Sequence, residues 1–251
     1  FFLSFFFEDA VLLIPNSGSI RQVLRSLSAV TRSQSFLLSL GVIALSAVAV
    51  ANTKTLKSIP EPVVKSSIVA TQGKQVAVFA GGCFWGVEAV FEHVKGVTNV
   101  VSGFSGGSSA TASYDKVSGG DTGHAEAVEV TYDPKQVSYG QLLKVFFAVA
   151  HDPTQRDRQG PDWGTQYRSA IFFVNSDQKK VAESYIKQLN QKKVFPNPIV
   201  TEVSTLHAFY SAEEYHQNFI VRNPTYPYVV VHDLPKLEAL KKHFPDFYRS
   251  N

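Results

Sequence analysis

The segment Ala80-Gly81-Gly82-Cys83-Phe84-Trp85-Gly86 joins two runs of different period. Before it stands the apolar stretch Val76-Ala77-Val78-Phe79-Ala80; after it, Val87, Val90, Phe91 and Val94 recur at i, i+3, i+4 and i+7. The first pattern reads as a buried strand and the second as one face of a helix, so the glycines mark a strand-to-helix turn. Cys83 is the single cysteine of the 251 residues. That excludes an internal disulfide framework and multi-cysteine zinc or iron–sulfur sites, and leaves an apolar core to hold the fold. A thiol at a helix N-terminus faces unpaired N–H groups and about half a positive charge. Such a site draws a cysteine pKa from ~8.5 toward neutrality or below. The alternative is an inert, buried small hydrophobe; the flanking glycines and a place outside the periodic helix face favour a reactive thiol.

Further along, residues 97–104 and 125–132 read as strands separated by a Gly/Ser-rich loop. Leu142, Val145, Phe146 and Val149 mark a second helix, stopped before Pro153. A long polar loop, 151–164, leads into a strand at 169–174. Val181, Tyr185 and Leu189 give another helix, opened by Ser176, and 199–205 a further strand. Ser211-Ala212-Glu213-Glu214 has the form of a capping box and predicts a helix running to Asn223-Pro224. Residues 234–244 form a last amphipathic segment. Strands and helices mix without strict alternation, which indicates an α+β fold.

The N-terminal part differs in kind. Between Ala10 and Pro60 there is no acidic residue, and Arg21, Arg25 and Arg32 precede an apolar stretch, 36–51, that closes with Ala49-Val50-Ala51. This is the layout of an export signal over 1–51, cleaved before Asn52. The stretch is shorter than the ~20 residues of a membrane span; a retained membrane anchor and an organelle transit peptide are the alternatives. Methionine is absent, position 1 included, so the expectation is that Phe1 to about Ile20 precede the natural start. Residues 52–74 read as a polar, proline-bearing linker, and 75–251 as the folded domain. A net charge of +3 without a Lys/Arg block gives no sign of a nucleic-acid partner, and seven scattered histidines without a His-x-x-x-His pair argue against a metal site.

Within strand 125–132, Glu126 shares a side with Val128, Val130 and Tyr132, and Glu129 points the other way. A carboxyl on an apolar side either keeps its proton and becomes a general acid, or reaches solvent or a cationic partner at the strand end. Asp162-Trp163-Gly164-Thr165-Gln166-Tyr167-Arg168 ends the long loop where it enters a strand, a common place for a site. Glu214-Tyr215-His216-Gln217 falls on the helix expected after Ser211. Tyr114 lies in the Gly/Ser-rich loop.

In order along the chain, Gly82-Cys83-Phe84-Trp85-Gly86, Thr122-Gly123-His124-Ala125-Glu126, Gly164-Thr165-Gln166-Tyr167-Arg168-Ser169 and Tyr215-His216-Gln217 resemble the A-type peptide methionine sulfoxide reductases. The resemblance implies a mixed-sheet, two-layer α+β sandwich with long loops, and a monomer. It implies Cys83 as the nucleophile, Phe84 and Trp85 as the wall that holds the substrate methyl, and Glu126 as the acid that protonates the sulfoxide oxygen. Tyr114 and Tyr167 match the tyrosines that hydrogen-bond that oxygen, and Asp162 and His216 match supporting positions. The implied partners are methionine sulfoxide in peptides and proteins and a thiol reductant, with no bound cofactor. Many members carry a further cysteine near the C-terminus; here the Tyr226-Pro227-Tyr228 tail has none, which implies recycling of Cys83 by thioredoxin, glutaredoxin or a small thiol. A non-catalytic redox sensor built on Cys83 is the rival reading.

Overall fold

The computed structural model describes residues 59–65 and 73–250. The segment read as an export signal and most of the expected linker lie outside the described residues. In chain order the elements are β1 (Gln75–Gly81), α1 (Phe84–Glu92), β2 (Val97–Ser105), α2 (Tyr114–Val117), β3 (Ala125–Tyr132) and α3 (Tyr139–Val145), which runs on as a π-helical turn, Phe146–Ala150. A short ribbon follows, β4 (Arg158–Gln159) and β5 (Asp162–Trp163), inside the stretch expected to be plain loop. Then come β6 (Ser169–Phe173), α4 (Ser176–Gln191), β7 (Glu202–Thr205), β8 (Phe209–Ser211), α5 (Phe219–Arg222), a π turn at Val229–Asp233, and α6 (Leu234–His243).

Six strands form one sheet in the order β7-β6-β1-β3-β2-β8; neighbours are antiparallel except the parallel pair β6 and β7. Alternation sorts side chains between its faces. Ala77, Phe79, Val128, Val130 and Ile171 look into the main core, against Val87, Val90 and Phe91 of α1, Leu142 of α3, and Val181 and Tyr185 of α4. Phe79 stacks on Phe91 at 5.1 Å and on Phe146 at 5.0 Å between centroids. Fully burying such a ring contributes ~1.5–3 kcal/mol. The other face carries the small set Val78, Ala80, Ala125, Ala127, Ala170 and Phe172, covered by Leu206 and Phe209. The result is the expected mixed-sheet, two-layer α+β architecture.

Two local expectations are corrected. Residues 59–65 do not behave as a free linker: Ile59 is buried, Tyr185 O–H donates to the Pro60 carbonyl at 2.7 Å, and Gln188 both donates to the Glu61 carbonyl and accepts the Val63 N–H. As expected, α4 opens at Ser176; the cap before it is Asn175, whose side chain accepts the Gln178 N–H. Ser211 opens no helix. It is held in edge strand β8 opposite Gly103, Glu214 pairs with Arg222 at 2.7 Å, and Asn218 at φ 53 breaks any helix between them. His216 therefore sits in a three-residue 3₁₀ turn, Glu214–His216.

Candidate active site

The turn after β1 puts Cys83 at the N-cap of α1. Gly82 has φ +91, and a β-carbon there would stand 2.5 Å from the Gln159 side chain, so only glycine makes this junction. Glu126 is the second residue of β3, opposite Phe104 of β2. The residue is 2% exposed, and its Oε2 accepts the Phe84 N–H at 3.0 Å. The first free N–H of α1 thus serves the carboxyl of a neighbouring strand.

Around this junction lies a cavity of about 190 Å³ lined by Cys83, Phe84, Trp85, Tyr114, Glu126, Asp162, Tyr167, Tyr226 and Tyr228. It unites seven of the eight residues singled out in the sequence. His216, the eighth, stands behind: the Trp85 Nε1–H donates to its Nδ1 at 3.1 Å, which places the neutral ring's one N–H on Nε2. A larger cavity of about 450 Å³ lies between residues 61–65 and α3 and contains none of these residues.

The ring wall is broader than the sequence suggested. Trp85 lies flat on Phe219, centroids 3.6 Å apart at 5°, with the edges of Tyr226 and Tyr228 against it at 6.3 and 6.1 Å. Tyr228 O–H donates to Asp162 Oδ2 in a short hydrogen bond. Tyr226, Tyr228 and Phe219 were missed; the aromatic density of Tyr226-Pro227-Tyr228 was their one signal. Tyr114 begins α2, and its N–H is fixed by Glu213 Oε1 at 3.0 Å. The remaining motif residues are braces. Arg168 donates to the carbonyls of Gly123, His124 and Thr165, Thr165 to that of Gly120, and Gln166 to that of Ser118. These bonds tie the turn that bears Tyr167 to the one that leads into Glu126.

Burial pushes the Glu126 carboxyl up to about 8; the Phe84 N–H pulls it down and the Asp162 charge raises it further. Below that pH the group carries a proton. Cys83 differs from its sequence expectation. Burial, then the Glu126 and Asp233 charges, push the thiol well above its ordinary value, and the Trp85 N–H and Lys236 offset only part of this. Removing an anion from water outweighs one helix N-terminus. Burial also raises Tyr114 and Tyr167, so both phenols keep their protons as donors.

A nucleophilic sulfur, a protonated carboxyl, two phenols and flat apolar rings in one small cavity suit a polar oxygen on a small apolar group. Residues 75–247 match the family model described as peptide methionine sulfoxide reductase. The chain belongs to the peptide methionine sulfoxide reductase family. The reductase is 58% identical over 192 residues to peptide methionine sulfoxide reductase MsrA 2 of Synechocystis, covering 76% of this chain and 90% of that protein. With MsrA 2 of Mesorhizobium japonicum it shares 59% over 179 residues, 71% of this chain and 92% of the other. Among solved structures, methionine sulfoxide reductase A of Corynebacterium diphtheriae superposes with a TM-score of 0.53 at 35% identity, over 67% of this chain and 84% of that one. The reduced form of Mxr1 from Saccharomyces cerevisiae gives 0.57 at 32%, over 65% and 94%. The reductase is thus an A-type enzyme, an oxidoreductase acting on methionine sulfoxide.

Proposed function

We propose that the enzyme reduces the S epimer of methionine sulfoxide in peptides and proteins through Cys83, and that an external thiol completes each cycle. The reading is carried by the Glu126 carboxyl, buried and protonated in the same cavity as the thiol. Sulfoxide oxygen leaves poorly unless protonated. Glu126 gives it a proton, and Tyr114 and Tyr167 hydrogen-bond it as charge develops. Phe84 and Trp85 hold the methyl group, with Tyr226 closing the rim.

In the first half-reaction Cys83 sulfur, its proton shed, attacks the sulfoxide sulfur, and the oxygen takes up two protons and leaves as water. Water then adds to Cys83 sulfur, the S–S bond breaks, and methionine departs with the bond's electron pair. The balance is one thiol and one sulfoxide to one sulfenic acid and one thioether: methionine sulfur is reduced by two electrons and Cys83 oxidised by two. No second cysteine exists in the 251 residues, so a thiol of thioredoxin, glutaredoxin or a small molecule attacks the sulfenic acid and expels water. A second thiol then frees Cys83 from the mixed disulfide.

Turnover of N-acetyl methionine S-sulfoxide with dithiothreitol tests the reading. The wild type turns over many times and Cys83→Ser does not; an inactive wild type overturns it. Protein trapped after one turnover without reductant is expected to carry one sulfenic acid at Cys83, and an intramolecular crosslink there would sink the one-cysteine cycle.

A further inference from the structure

The first turn of α1 is covered by the C-terminal segment as well as by the cavity. A β-carbon at Gly86 would stand 2.2 Å from Asp233 Oδ1 and 2.6 Å from Lys236 Nζ, so the absence of a side chain there lets this pair reach the helix. Gly86 is the third residue of α1 and Cys83 its N-cap, positions one helical turn apart that face each other in capping geometry. Asp233 is wholly buried. Its Oδ1 accepts Lys236 Nζ–H at 3.2 Å, and its Oδ2 has no hydrogen-bond partner among the described residues. Lys236 is mostly covered, with its side chain 19% exposed. A buried carboxylate with one free oxygen, one turn from the nucleophile, has no part in the half-reactions above.

We propose that Asp233 and Lys236 set the charge state of Cys83 in opposite senses, Asp233 holding the thiol protonated in the resting enzyme and Lys236 opposing it. The step concerned is Cys83–SH releasing H⁺ to solvent to give Cys83–S⁻. Facing Cys83 are Glu126 from β3, Asp162 from β5, Tyr114, Tyr167 and Tyr228, besides this pair. The phenols are neutral, and Glu126 keeps its proton below about 8. That leaves Asp233, ion-paired with Lys236 at 3.2 Å against the first turn of α1, as the carboxylate that opposes a charge on the thiol; burial raises its own pKa and Lys236 lowers it. At short range in poorly solvated surroundings such charges act with little screening. The arrangement suits an enzyme with one cysteine. Peroxides attack the thiolate, and a sulfenic acid with no neighbouring thiol is open to further, irreversible oxidation. A thiol kept neutral until substrate arrives avoids that loss. The inference rests on Cys83 as nucleophile, but not on the sulfoxide chemistry.

The test is the rate of Cys83 alkylation by iodoacetamide at neutral pH, read by mass without any sulfoxide. Asp233→Asn is expected to speed it roughly three- to tenfold, as a fall of half to one pKa unit would. Adding Lys236→Met to Asp233→Asn must slow it again, and adding Lys236→Arg must not. Loosened packing would do the opposite, exposing Cys83 further with each substitution. An unchanged rate in Asp233→Asn, or a double variant with Lys236→Met as fast as the single one, overturns the proposal. If Asp233→Asn does not melt cooperatively, Lys236→Met alone decides, followed through the alkaline range where Asp233 is ionised in either protein: its alkylation profile must shift to higher pH, and a coincident profile overturns the pair. Failure of turnover in the wild type would refute the reductase reading and leave these rates untouched.

Discussion

Cys83 stands at the N-cap of α1, Phe84 on α1 and Glu126 on β3, inside the sheet-and-helix layer. The partners of Trp85 come from residues 216–228, which begin on the last residue of a 3₁₀ turn, contain the four residues of α5 and end just before the π turn at Val229. The first wall is placed by ladder register: Phe79 opposes Val128 and Phe104 opposes Glu126, so backbone pairing fixes where the carboxyl emerges. The second wall is placed by a few polar atoms far away in sequence. Gln217 accepts the Ser102 N–H and donates to its carbonyl, buried Glu88 accepts the Asn218 N–H at 3.0 Å, and Glu213 accepts that of Tyr114. Rigid pairing holds the atoms that react. Side-chain bonds and stacked rings hold the surface that recognises.

If that division is right, the largest effect belongs to the strand wall and falls on kcat. Glu126→Gln removes the proton donor and is expected to cost ~100-fold or more in kcat, whereas Glu129→Gln, three residues along β3 and on the opposite sheet face, stays within about twofold. Equal losses would break the face assignment. The sign in pH follows from the raised carboxyl. Its acid form is the active one, so in the substrate complex the proton donation by Glu126 is lost as pH rises through about 8, and Glu126→Gln lacks that limb in its residual kcat. In stability the same group favours the fold fully below its unfolded value, ~4.5, and loses that contribution as pH climbs through the folded one.

The ring wall should answer differently. Phe219→Ala takes away the face on which Trp85 lies, and a stacked pair is worth ~0.5–1.5 kcal/mol beyond its buried area. A rise of up to about tenfold in KM with kcat changed much less is the expected result, from steady-state kinetics on a peptide sulfoxide. A loss confined to kcat would mean that this wall, too, positions the chemistry.

The same contrast decides what could be read from the sequence. Period and turn glycines located β1, α1, β2, β3 and β6, and with them Cys83 and Glu126, because a ladder or a helix repeats its pattern locally. Ser138-Tyr139-Gly140-Gln141 and Ser211-Ala212-Glu213-Glu214 show the limit. The first pair makes both bonds of a capping box. The second has the same form, but Ser211 is claimed by an edge strand and Glu214 by Arg222. Nothing within four residues distinguishes them. Tyr228 and Asp233 were invisible for the same reason, since their partners, Asp162 and Gly86, lie 66 residues and more away. The Cys83 thiol was misjudged because its helix position is local, while the burial and carboxylates that outweigh it come from the whole fold.

The smallest expected effect tests the bond that joins the two walls. Asp162 raises the Glu126 carboxyl, and Tyr228 O–H, by donating to Asp162, draws part of that charge toward itself. Asp162→Asn removes the charge, so the alkaline limb of the rate profile should move down from about 8. Tyr228→Phe removes only the donor, leaving more of the Asp162 charge to act on Glu126, and the limb should move up by a smaller amount. A hydrogen bond to a charged group is worth ~1.5–3 kcal/mol, but only the share felt across the cavity reaches Glu126, so a few tenths of a pH unit is the scale to resolve. Opposite displacements in the two variants would show that the aromatic tail tunes the acid as well as walls the pocket. Displacements of the same sign would confine Tyr228 to packing, and the two walls would then be joined by contact alone.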